Sequence, residues 1–106
     1  MKGDHIGEFE ELVMLAVAGL EDAYGVSIKT RLDQETHRDI TIGAVYAALD
    51  RLEDKALVVS SEVAGPAERG GRRRRTFTVT PEGRRVLRLL RSVRERLWRA
   101  APARHR

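Results

Sequence analysis

Two short β-rich segments, residues 57–63 and 76–80, lie late in a chain whose other patterned stretches all read as helical. Such strands can pair only with each other, and a lone hairpin is marginal in water. The pair must therefore close onto helices. In the second segment Phe77 and Val79 alternate with threonines, which gives one apolar face. Between the segments, residues 64–75 hold one proline, three glycines and five arginines, and read as a long hairpin tip.

The helices follow from periodicity. Phe9, Leu12, Val13, Ala16, Val17 and Leu20 fall on one face of a first helix over 7–20. Met14, Leu15 and Ala18 widen that face until the helix belongs in a core. Asp22 is the expected N-cap of a second helix running to about Thr36, with Tyr24, Ile28 and Leu32 turned inward. Thr41 caps a third helix over about 42–55, whose inner face is Val45, Ala48, Leu49 and Leu52. Thr80, Pro81 and Glu82 supply a hydroxyl cap, a proline at the first helical position and an acid in the first turn of a last helix. It runs to about Ala101, where Pro102 ends it. Helix, helix, helix, strand, tip, strand, helix is the order of a winged helix-turn-helix. The fold class is mainly α with a small β element (α+β), and a C-terminal dimerisation helix completes it. Residues 1–80 are expected to form the winged helix-turn-helix unit, and 81–106 the dimerisation helix and a short tail of one compact body.

Charge is divided along the chain. Residues 1–68 carry 6 Lys/Arg against 14 Asp/Glu, whereas residues 69–106 carry 14 Arg against 2 Glu. That asymmetry points to a polyanionic partner. The chain has no cysteine, which excludes disulfides and Cys-based zinc sites. No apolar run reaches the roughly 18 residues of a membrane span, so a cytoplasmic protein without membrane contact is expected. His5, His37 and His105 are isolated, and neither GxxxxGK[ST] nor GxGxxG occurs. Nothing in the pattern calls for catalysis, a metal or a cofactor.

Double-stranded DNA is the partner that the remaining residues fit. Arg69, Gly70, Gly71, Arg72, Arg73 and Arg74 at the tip suit phosphate contact or a narrow minor groove, with the glycines allowing close approach. On the third helix Thr41, Gly43, Ala44, Tyr46, Ala47 and Arg51 form an outer face that begins small and uncharged. A helix end that enters a major groove needs such a face. Tyr46 is read either as a phosphate donor or as packing on the second helix, and Tyr24 joins the DNA-facing set. The last helix carries Val86, Leu90, Val93 and Leu97 at alternating spacings of four and three, broadened by Leu87 and Trp98. A second copy of the chain is the economical partner for that stripe, and a homodimer places two recognition helices on two half-sites.

With these residues in view, the chain resembles the PadR family of bacterial transcriptional regulators, in its shorter-tailed branch. The resemblance rests on "DAYGVSI" at 22–28, "TIGAVYAALDRLEDKALV" at 41–58 and "RGGRRRRTFTVTPEGRRVL" at 69–87. It implies a homodimer joined mainly through the last helix that binds a roughly palindromic operator, usually as a repressor. It also implies release by a small aromatic effector in many members, for which Trp98 is the candidate contact. Ala56 stands where that family usually has glycine, which would cost about 1 kcal/mol in a left-handed helix cap. Arg73 stands where proline is common. The rival reading is an RNA- or ribosome-associated basic protein, for which stacking aromatics beyond Tyr46 and Phe77 are missing.

Overall fold

The computed structural model describes residues 5–64 and 73–102, in the order α1 (Glu8–Gly19), α2 (Gly25–Thr36), α3 (Ile42–Asp54), β1 (Val58–Ala64), β2 (Arg73–Val79) and α4 (Pro81–Ala100). Three helices closed by a two-stranded antiparallel hairpin, with a long helix after it, match the expected winged helix-turn-helix.

The core is built from one stripe of each element. Val13, Met14 and Val17 of α1, Ile28 and Leu32 of α2, and Val45, Ala48, Leu49 and Leu52 of α3 are buried together. Val58, Phe77 and Val79 close it from the hairpin, Leu57 from the turn before it, and Val86 from α4. All four residues expected on the inner face of α3 are there.

Local chemistry sets most boundaries. The Thr41 hydroxyl accepts from the Ala44 N–H at 3.1 Å, and the Thr80 hydroxyl accepts from the Gly83 N–H at 3.0 Å. Both are N-caps read from sequence. Asp22 is not one. α2 starts after Tyr24, whose N–H donates to the Ser27 hydroxyl at 3.0 Å while that hydroxyl donates to the Asp22 carbonyl at 2.8 Å. Ser27 thus closes the turn from inside the helix, and the Asp22 carboxylate is left for another partner.

α3 ends in a left-handed residue, and it is Ala56, at φ 62°. The Ala56 N–H donates to the Glu53 carbonyl at 2.9 Å, and the Leu57 N–H to the Leu52 carbonyl at 2.9 Å. This is the paired bonding of a Schellman turn without its usual glycine. The turn brings Leu57 onto α4: a Cβ at Gly83 would collide with the Leu57 carbonyl and lie 2.7 Å from Val79 Cγ1.

The hairpin differs from expectation in one respect. β2 begins at Arg73, so Arg73, Arg74 and Arg75 are ladder residues paired with Ala64, Val63 and Glu62, not part of a tip over 64–75. The strand is extended because each guanidinium has an in-chain acid to meet. Arg69, Gly70, Gly71 and Arg72 lie outside the described residues.

α4 is used unevenly. Val86 is fully buried in the chain's own core, and Leu87 and Leu90 pack on its edge. Residues 91–100 are all exposed. The expected dimer stripe is therefore split: Val86 is consumed at home, because the first turns of α4 must seal the hairpin.

Candidate nucleic-acid interface

The outer face of α3 presents Thr41, Gly43, Ala44, Tyr46 and Ala47, all exposed. It sits on a fixed base. The Ile40 N–H donates to Asp33 Oδ1 at 2.9 Å, and Lys29 Nζ pairs with Asp33 Oδ2 at 2.6 Å. Lys29 and the Ile40 amide together hold the Asp33 carboxyl below the usual carboxylate range. Asp33 thereby ties the end of α2 to the residue that precedes the α3 cap, a role the sequence reading did not assign. A polar residue one turn from a helix end carries no mark of that partner.

Tyr46 and Gly25 explain each other. A Cβ at Gly25 would overlap the Tyr46 hydroxyl and ring, so the tyrosine lies directly against the first residue of α2. Tyr46 thus packs on the second helix, and the residue is still 38% exposed on the outer face.

Arg51 turns away toward α1. Its Nε donates to Glu10 Oε2 at 2.5 Å, while Lys55 Nζ donates to Glu10 Oε1 at 3.1 Å and to the His5 carbonyl at 2.8 Å. Glu10 is only 6% exposed. Burial alone would push its carboxyl up, but Arg51, the Gly7 N–H and Lys55 outweigh burial and hold it below the ordinary value. Arg51 is thus the brace between α1 and α3 before it is anything else.

The described wing arginines are also engaged. Arg73 Nε donates to Glu62 Oε1 at 3.0 Å at the exposed end of the ladder. Arg74 pairs with Asp22 and lies over the Tyr24 ring, its guanidinium carbon 4.2 Å from the centroid. Arg75 Nη2 donates to Glu53 Oε1 at 2.5 Å, and its guanidinium carbon is 4.9 Å above the Phe77 ring. Tyr24, expected among DNA-facing residues, is half-buried and forms an isolated antiparallel bridge with Thr76.

On α4, Val93, Leu97 and Trp98 are exposed, Leu97 to 66% and Trp98 to 79%. Arg94 Nε reaches back to Glu11 Oε2 at 3.2 Å. A cleft of about 280 Å³ opens between α1 and α4, lined by Leu15, Leu87, Arg88, Arg91 and Trp98 among others. Among the described residues no acid and histidine cluster could hold a metal, and no helix is long and apolar enough to cross a membrane.

Comparison with known proteins places this geometry. The sequence model of the transcriptional regulator PadR-like family matches residues 14–89. A PadR-like transcription factor from Bacteroides fragilis superposes with TM-score 0.73 at 25% identity, over 87% of this chain and 84% of that one. A PadR family transcriptional regulator from Eggerthella lenta gives 0.69 at 26% identity, over 87% and 76%. A PadR-like regulator from Bacillus cereus shares the fold with TM-score 0.73 at 18% identity, over 87% and 85%. No curated protein matches the chain.

Proposed function

Because the chain belongs to the PadR-like family of transcriptional regulators, we propose that it is a repressor that binds a pseudo-palindromic operator in duplex DNA as a homodimer. The N-terminal half of α3 enters the major groove, and the hairpin approaches the backbone beside it. The observation that carries this reading is the outer face of α3. Thr41, Gly43, Ala44 and Ala47 are exposed, small and uncharged on a helix whose opposite face is wholly buried. Such a surface permits backbone-distance approach to base edges, and alanine methyls suit contact with thymine. Specificity rests on that shape, on Tyr46 and on backbone geometry, since Arg51 is occupied with Glu10.

The dimer forms through the free half of α4, with Val93, Leu97 and Trp98 meeting a second copy. Leu87 and Leu90 lie at the margin of that seam, and residues 81–106 act as its dimerisation segment. Arg69 and Arg72, with the exposed Arg73 at the start of β2, supply phosphate contacts, and Gly70 and Gly71 permit close approach to the backbone. An aromatic effector would enter at Trp98, beside the α1–α4 cleft.

Protection of the DNA upstream of the chain's own coding region tests the reading. It predicts an inverted repeat protected as two half-sites whose centres lie about 10 bp, or a multiple, apart. A footprint without two-fold symmetry, or none at all, would contradict it.

A further inference from the structure

The four-arginine run does two jobs, and Arg74 and Arg75 are spent inside the chain. β2 alternates its side chains, so Arg74 and Thr76 share one face while Arg75 and Phe77 share the other. Along the edge of β2 away from β1, the Tyr24–Thr76 bridge and the Phe77 N–H donated to the Ala23 carbonyl at 2.8 Å attach β2 to the chain just before α2. Arg74 extends that attachment outward by one side-chain step. It stacks on Tyr24, the diagonal neighbour across the bridge, and its guanidinium pairs with Asp22. Its side chain is only 29% exposed. On the second face, Arg75 stacks on Phe77 and reaches Glu53 of α3, whose other carboxylate oxygen accepts from the Ser60 hydroxyl at 2.6 Å. The hairpin is thereby held from both sides, to the start of α2 and to the recognition helix.

We infer that Arg74 and Arg75 are positioning residues which set the angle of the hairpin against α2 and α3, and are not phosphate contacts. The carboxylates of Asp22 and Glu53 belong to the same device. This inference rests on the DNA-binding reading for its consequence, but the clasp itself exists without DNA. The two can be separated. Asp22 offers the sharpest variant, because its side chain bonds only Arg74 among the described residues and its backbone role in the Ser27 turn survives substitution.

Removing an acid from a DNA-binding protein should, by charge alone, tighten binding. The clasp predicts the opposite for Asp22→Asn and Glu53→Gln. In the full chain without DNA, amide exchange over residues 73–77 should quicken about fivefold in Asp22→Asn and Arg74→Ala, while the α1 and α3 core amides stay unchanged. In duplex titrations both variants should bind a few-fold more weakly at one salt concentration. Their slopes of log affinity against log salt should equal that of the unsubstituted protein. Reversing the pair, Asp22→Arg with Arg74→Asp, should recover exchange protection. Unchanged exchange in the single variants would overturn the inference. So would tighter binding by Asp22→Asn, or a slope lowered by about 0.9 in Arg74→Ala, the mark of a lost phosphate contact. If the unsubstituted chain ignores duplex DNA, the functional reading falls, and the exchange measurement still decides the clasp.

Discussion

Ala56 and Glu10 are the two residues whose surroundings most outweigh their intrinsic preferences. Ala56 sits at φ 62°, where an L side chain is strained by about 1 kcal/mol or more. The Schellman bonds around it and the burial of Leu57 hold it there. Ala56→Gly should therefore stabilise the fold by about 1 kcal/mol, less what the freer unfolded chain returns. A urea midpoint shifted upward with an unchanged slope would register it. Glu10 has a folded titration below the ordinary glutamate value, so its bonds stabilise the protein above about pH 4.3 and are lost as pH falls through the lowered folded value. Glu10→Gln should lose stability at neutral pH, with the gap from the unsubstituted protein narrowing below about pH 4 in acid titrations followed by circular dichroism. Thr41 and Thr80 were legible as caps because their partners lie three residues away. Glu10 was not, because Arg51 and Lys55 reach it from 41 and 45 residues along the chain.

At the scale of elements, the buried face of α3 was legible, since one helical period decides what is inside, but Arg51, read on the outer face, turns back to Glu10 of α1. β2 was readable only from Thr76 onward. Arginines in a row look like a solvated tip until four acids from three separate stretches, Glu62, Asp22, and Asp50 with Glu53, are brought beside them. Helix packing shows the same dependence on tertiary context. By propensity alone, Gly25→Ala would favour α2 by up to about 1 kcal/mol. Tyr46 occupies the space of the new methyl group, so the variant should instead be destabilised by about 1–3 kcal/mol in thermal unfolding. It should also displace the tyrosine on the outer face of α3 and weaken DNA binding beyond its effect on stability.

The whole molecule is extended, with principal extents of 58 × 31 × 21 Å. The 20-residue α4, about 30 Å long, has a far half, residues 91–100, that is exposed throughout. The heptad stripe was visible in the sequence, but where it would divide was not. That depended on the approach of Gly83 to Leu57, which commits the first turns of α4 to the home core. Leu97→Glu should leave the monomer's fold intact, since Leu97 is 66% exposed, and shift sedimentation from dimer to monomer. Operator affinity should fall with it, because two half-sites are then no longer bound together. The central claim is that this chain meets the backbone of duplex DNA, and its most direct test is an anisotropy titration of the full-length protein with duplex DNA at a series of salt concentrations. Binding whose log affinity falls linearly with log salt, at about 0.9 for each phosphate neutralised and at least about 3 in all, is the predicted result. No binding in dilute buffer, or an affinity indifferent to salt, would contradict it.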